Sequence, residues 1–245
     1  MFKTQYLLGA VVAVSVAGGA SAALVWTGAG DGVSLYQEAN WLDDNGDVPA
    51  AGTIDNTGPV TAATGGLIEI NSGTGSPNNF SGNFSVGVGN DLAVGGGKTL
   101  ATATNGINIG GAVVSNQNLT ITGGSTVRAT FIVDFDVTLD GGSTLRFNGA
   151  GNPVNGSTIN VLDLDSVIRF DNEDFAAFAA EHQSKTTLQG NALVFGSDAF
   201  VVEAGDNAVA ADFNNGDGVE ITFVPEPTSL ALMALGGLCV LRRRR

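Results

Sequence analysis

The sequence predicts an all-β chain, a β-solenoid or β-helix-like stack with one short helix, and three observations carry that reading. Short runs of Val, Ile, Leu and Phe are punctuated by Gly, Asn, Asp, Ser and Thr, the texture of strands and turns. A pattern of apolar-x-apolar-x-Gly-Gly-x-Thr-apolar occurs at Leu92–Leu100, Leu119–Val127 and Val137–Leu145, and Ile159–Val167 reads as a fourth copy that has lost its glycines. The one cysteine, Cys239, lies in an apolar C-terminal stretch, so a body of about 200 residues has to be held by packing without disulfides.

Taken in chain order, Lys3 precedes an apolar stretch from Tyr6 to Ala17 that closes on Ala20-Ser21-Ala22, a small-x-small cleavage pattern. Residues 1–22 are therefore expected to be a secretory signal peptide, cut after Ala22; an uncut N-terminal anchor is the alternative and keeps the same topology. The next segment runs from Val25-Trp26-Thr27-Gly28 through Tyr36 to Asn40-Trp41, and resembles the opening element of many bacterial surface and autotransporter-type β-proteins. Two readings stand for its tryptophans: a hydrophobic cap on the end of the stack, or an exposed Trp26 and Trp41 pair that stacks on sugar rings.

In each repeat copy, apolar residues point inward and polar ones outward on either side of a Gly-Gly corner, where one glycine takes the positive φ of a sharp bend. One copy cannot bury its own apolar face, whereas stacked copies can. The offsets between copies are 27, 18 and 22 residues, and a β-sandwich of hairpins using the same turns is the alternative. An open-ended solenoid would also offer unpaired strand groups to a second chain. From Asp171 to His182 the composition switches to a short helix, capped by Asp171 or Asn172, with Phe175 and Phe178 on one side to plug an end and His182 capping the last carbonyls. Thr186–Phe195, Ala199–Glu203 and Val219–Val224 are expected to be the closing strands, and the whole of 23–223 forms the exported domain.

The end of the chain, 224–245, has a different character. Val224-Pro225-Glu226-Pro227 precedes an uncharged apolar run over 228–241 and then Arg242, Arg243, Arg244 and Arg245. At about 1.5 Å per residue the fourteen-residue run reaches roughly 21 Å against a hydrocarbon core of about 30 Å, a marginal transmembrane helix. Arginines mark the cytoplasmic flank of such a segment, which puts the body on the far side. In order and position these residues resemble the PEP-CTERM sorting signal of exported bacterial proteins. The resemblance implies that an exosortase, a membrane transpeptidase, recognises Pro225-Glu226-Pro227, removes the helix and arginines, and passes the body to the cell surface or extracellular matrix.

Charge and chemistry narrow the rest. Outside the two ends, five basic side chains face twenty-four carboxylates, a net charge of −19 that repels nucleic acid and anionic lipid. Two acidic turns are candidate calcium loops, Asp43 with Asp47 and Asp212 with Asn214, neither with full EF-hand spacing. With one histidine and no cysteine in the body, nucleophilic catalysis lacks its parts, and no cofactor is expected. The function read from these features is an exported structural or adhesive surface protein, not an enzyme. Its alternatives are a carbohydrate-binding module for exopolysaccharide through Trp26 and Trp41, and a polysaccharide-active enzyme using a carboxylate pair.

Overall fold

The computed structural model describes residues 23–225 apart from positions 33, 36, 44, 51–53, 55–59, 61–65, 72, 78–83, 88–89, 102–105, 111–115, 150 and 214–216. Ala20 and Ala22 of the expected signal peptide, the apolar run 228–241 and its arginines lie outside the described residues.

Alternating inside-outside strands joined by corners produce a β-solenoid of about four turns with one short helix. The chain enters with β1 (Ala23–Trp26), β2 (Trp41–Leu42), β3 (Leu67–Ile70) and β4 (Phe84–Gly87). The regular turns hold β5 (Asp91–Val94), β6 (Thr99–Ala101) and β7 (Ile107–Gly110); then β8 (Gln117–Ile121), β9 (Thr126–Ala129) and β10 (Ile132–Val133); then β11 (Phe135–Leu139), β12 (Thr144–Phe147) and β13 (Val154–Asn155). β14 (Thr158–Val161) and β15 (Val167–Phe170) lead into α1 (Phe175–Glu181), β16 (Thr186–Leu188), β17 (Asn191–Ala192), β18 (Ala208–Phe213) and β19 (Gly218–Phe223).

Three sheets run along the stack, in the orders β17-β16-β14-β11-β8-β5-β3-β1-β2, β13-β10-β7-β4 and β18-β19-β15-β12-β9-β6. Among the described residues, neighbouring turns pair in parallel, and antiparallel pairs occur only at the ends: β1 with β2, β16 with β17, β15 with β19 and β18 with β19. The first three repeat copies stack in the register their pattern implies, and the second strand of the fourth is shifted by one residue, with Ile168 rather than the expected Val167 opposite Leu145. Leu92, Leu119, Val137 and Ile159 are successive partners, as are Leu100, Val127, Leu145 and Ile168, and all are buried. Each such side chain taken from water contributes roughly 1.5–3 kcal/mol. The sandwich of hairpins is thereby excluded, because the two strands of one copy belong to different sheets.

The corners differ from expectation in one respect. Both glycines of each pair take positive φ, at Gly96 and Gly97, Gly123 and Gly124, and Gly141 and Gly142. The fourth copy turns over Asp163-Leu164-Asp165 instead, with one more residue between its strands and no positive φ, so glycine is not needed there. At the x position after the second and third glycine pairs, Ser125 and Ser143 are buried, and Ser166 follows in the fourth copy: Ser143 Oγ accepts from Ser125 N–H at 3.2 Å, and Ser166 Oγ from Ser143 N–H at 3.0 Å. The uneven offsets are absorbed elsewhere. In the 18-residue turn the chain passes from β10 to β11 through Asp134 alone, held at φ 63°.

Lysines cover backbone carbonyls at two places on the stack. Lys98 Nζ donates to the carbonyls of Gly73 at 2.6 Å and Gly75 at 3.0 Å, and Lys185 Nζ donates to Val154 O at 2.7 Å on the outer edge of β13. Lysine on an edge is a common guard against strand addition.

Candidate functional site

Two places in the body bear on function, the tryptophan end and the end from which the sorting tail departs. At the first, β2 turns back on β1 so that Trp26 and Trp41 are cross-strand partners, with ring centroids 5.3 Å apart and planes at 87°. Both rings are 0% exposed. Trp26 Nε1 donates to Thr74 O at 3.3 Å and Trp41 Nε1 to Leu35 O at 2.8 Å. This corrects the sugar-stacking expectation: neither ring presents a face to solvent, and the pair caps the apolar interior of the first turn.

The sequence reading named Asn40 without giving it a role; the structure makes it the centre of this end. Fully buried, it accepts from Gly30 N–H at 2.9 Å and Gly32 N–H at 3.1 Å through Oδ1, and donates through Nδ2 to Asp31 at 2.7 Å and Ser34 O at 2.9 Å. Its carbonyl accepts from Thr27 N–H at 2.7 Å. The signal was its place directly before Trp41, since a buried amide beside a capping aromatic has to satisfy four bonding positions.

Among the described residues, the calcium candidates do not assemble a cation cage. Asp43 Oδ1 accepts from Asn45 N–H at 2.8 Å and Asp47 N–H at 3.1 Å, closing its own turn. The Asp47 amide foremost, with smaller help from Asn45 and Gly46, outweighs burial and holds the Asp43 carboxyl below its usual value. Asp212 lies within β18 opposite Val219, not in a loop, and Asn214 is outside the described residues. Among the described residues, no group of three or more His, Cys, Asp or Glu could hold a metal ion.

At the other end, α1 starts two residues later than the composition suggests, with Asp174 as its cap: Asp174 Oδ1 accepts from Ala177 N–H at 2.9 Å. Phe178 is fully buried and Phe175 partly so, against Phe170 and Phe195, as expected of a plug. His182 does not cap carbonyls with its ring. The ring stacks on Phe170 at 5.0 Å, and its Nε2 lies 3.0 Å from Glu173 Oε2, with both residues buried.

The closing strands are redistributed as well. Ala199–Glu203 is not a strand, whereas alanine-rich Ala208–Phe213 is β18, drawn into extended form by pairing with all six residues of β19. A file of outward arginines fastens this cap to the stack: Arg128, Arg146 and Arg169 are register partners on β9, β12 and β15. Arg146 Nε donates to both carboxylate oxygens of Asp171 at 2.9 and 3.0 Å, Arg169 pairs with Glu220 of β19, and the Phe213 ring lies 5.4 and 5.0 Å from the two guanidiniums. Partly exposed pairs of this kind contribute under about 1 kcal/mol each.

β19 carries the chain to its exit. Val219, Ile221 and Phe223 point into the core while the strand is held between β15 and β18. Val224 N–H then donates to Asn207 O at 3.1 Å, and Pro225 follows, exposed, at the rim of a cleft of about 490 Å³ lined by Leu164, Leu188, Gln189, Asn191 and Asn207. A single residue separates the closing strand from Pro225; Glu226 and Pro227 lie outside the described residues.

An acid-rich β-solenoid whose closing strand feeds straight into a Pro-Glu-Pro motif, an apolar run and an arginine cluster is a sorted surface protein in form. Residues 223–245 match the family model of the PEP-CTERM protein-sorting motif, so the chain is a PEP-CTERM protein, an exosortase substrate, with the export and envelope or surface association that this signal implies. Comparisons with curated proteins and with solved structures give no match.

Proposed function

We propose that this protein is a structural or adhesive component of the cell surface or extracellular matrix, delivered there by exosortase processing at Pro225-Glu226-Pro227, with the segment 228–241 crossing the membrane until it is removed. The observation that carries the reading is the junction itself. β19 is a central strand that ends one residue before the motif, so a cut beyond Pro225 leaves every strand of the body in place. The body is read as a scaffold without a catalytic role: a strongly acidic stack of strands, suited to a hydrated matrix.

Intact-mass and C-terminal peptide mass spectrometry of the protein from the cell surface and medium of its host tests this. The expected product begins at Ala23 and lacks everything beyond the Pro225-Glu226-Pro227 region. Recovery of chains that still end in Arg245 would overturn the sorting step.

A further inference from the structure

Beyond β18 lies the segment 194–202, held to it by Asn207 N–H to Val194 O at 3.1 Å and Ala210 N–H to Ala199 O at 2.7 Å. At about 4.8 Å per strand, this segment stands roughly 10 Å farther along the stack than β19. It carries Val194 (47% exposed), Phe200 (46%), Val201 (54%) and Val202 (56%), and exposed Leu162 belongs to the last turn of the same end. Among the described residues, Val48 is the one large apolar side chain exposed elsewhere. Contiguous apolar exposure of this kind marks a contact surface.

The segment is built to present these side chains. Asp198 Oδ1 accepts from Phe200 N–H at 3.0 Å, the Glu203 carboxylate accepts from Ser197 N–H and Oγ–H at 2.9 Å, and Asp206 Oδ2 accepts from Glu203 N–H at 2.6 Å. The Phe200 ring leans on Phe175 at 5.9 Å. The loop's carboxylates are thus turned to its own backbone and hydroxyl, leaving the apolar tips outward.

The length of chain beyond Pro225 says what meets them. Two residues, three chain steps, separate Pro225 from Thr228, at most about 10 Å of extended chain. The polar layer on each side of a bilayer is about 5–8 Å thick. A body tied so closely to a spanning segment has to rest its closing end on the headgroups, and the 194–202 segment extends axially by the same distance that the linker can reach.

We propose that, before processing, the 194–202 segment docks on the membrane surface that the tail enters, with Phe200, Val201 and Val202 in the boundary between headgroups and acyl chains. The proposal rests on the reading of 228–241 as membrane-spanning. Asp198, Glu203 and Asp206 beside the patch favour net-neutral headgroups over anionic ones. The solenoid then stands on its helical end, with the tryptophan end directed away from the membrane.

The test uses the full chain carrying Cys239→Ala and a single new cysteine, Val201→Cys or, as reference, Val48→Cys. Each is labelled with an environment-sensitive nitrobenzoxadiazole and reconstituted in phosphatidylethanolamine–phosphatidylcholine vesicles containing a spin-labelled quencher lipid. A blue-shifted label at 201, quenched several-fold more strongly than the label at 48, is the expected result, and Phe200→Ser with Val202→Ser reduces that quenching. Equal, weak quenching at both positions in chains that resist an alkaline carbonate wash overturns docking and leaves the spanning tail standing. Chains removed by the wash overturn the spanning tail and docking together. A blue shift at 201 without lipid quenching, accompanied by crosslinking between copies, identifies a second copy as the occupant and likewise overturns the proposal.

Discussion

At the tryptophan end of the stack, about twenty consecutive residues fold on themselves: β2 reverses onto β1, Trp26 meets Trp41, and Asn40 ties the intervening loop together. At the helical end the closure draws on residues from Asp171 to Phe223, through α1, two antiparallel strands and an aromatic cluster around a buried Glu173–His182 pair. The first cap is built mainly from neighbouring residues around the buried Asn40 amide, with Trp26 Nε1 tying it to Thr74 O. The second is long-range, contains a buried polar pair, leaves apolar side chains in water and releases the tail. The difference teaches that closing a solenoid takes little chain, and that the additional structure at the helical end accompanies a chain exit beside an exposed apolar segment. Because each turn touches only its neighbours, the two ends should also fail independently.

The sharpest way to break that comparison is to empty each cap. Trp41→Ala should cost about 4–5 kcal/mol and Phe178→Ala about 3–4 kcal/mol, measured by chemical denaturation. Hydrogen exchange should then show protection lost in β1–β3 for the first and in β15–β19 for the second. Equal loss in all strands for both variants would mean that the ends are not independent. Next in size, Glu173→Ala should cost about 3 kcal/mol by stranding His182, while Glu173→Met with His182→Phe should recover most of it, since an apolar pair of similar volume removes the desolvation penalty. Asn40→Ala, which orphans the Gly30 and Gly32 amides, should cost about 2–3 kcal/mol and leave the helical end protected.

The regular turns provide the reference between the ends. An added Cβ at Gly96 would sit 2.3 Å from Asn71 O, whereas at Gly124 it meets nothing within 4 Å. Gly96→Ala should therefore cost about 2–3 kcal/mol and Gly124→Ala only the strain of its positive φ, about 1 kcal/mol, in the same denaturation assay. The smallest effect is at Asp163. Burial raises its pKa, but the Ser166 hydroxyl, the Gly142 amide and the Ser166 amide together hold it below the ordinary 3.8. A lowered carboxyl stabilises the fold above its ordinary pKa and ceases to as pH falls through the folded value. The stability difference between wild type and Asp163→Asn should be under about 1 kcal/mol, constant above the ordinary carboxylate range and lost as pH falls through the folded value.

Much of the stack was legible because its code is local. The register of Leu92, Leu119 and Val137 follows from alternation and a corner of fixed length, and the copy without glycines stacks on them from Ile159 with a corner one residue longer than its pattern implied. The errors fall where pairing across the fold overrides local preference. Ala208–Phe213 has weak strand propensity and is extended because β19 pairs with it, while Ala199–Glu203, richer in strand formers, is left as a loop because it lies beyond the last strand of its sheet.

By itself, the sequence determined the all-β repeat pattern, the strongly acidic body and the PEP-CTERM tail, because periodicity, net charge and a short linear signal are properties of neighbouring residues, whereas the choice of solenoid over sandwich waited for the sheet pairing. Only the tertiary structure decided that Trp26 and Trp41 are interior, that Lys98 and Lys185 guard backbone edges, that three arginines fall into one file, and that the tail leaves beside an apolar rim. Each of these depends on which distant segments meet, and burial and exposure are set by those meetings rather than by the residue or its immediate neighbours.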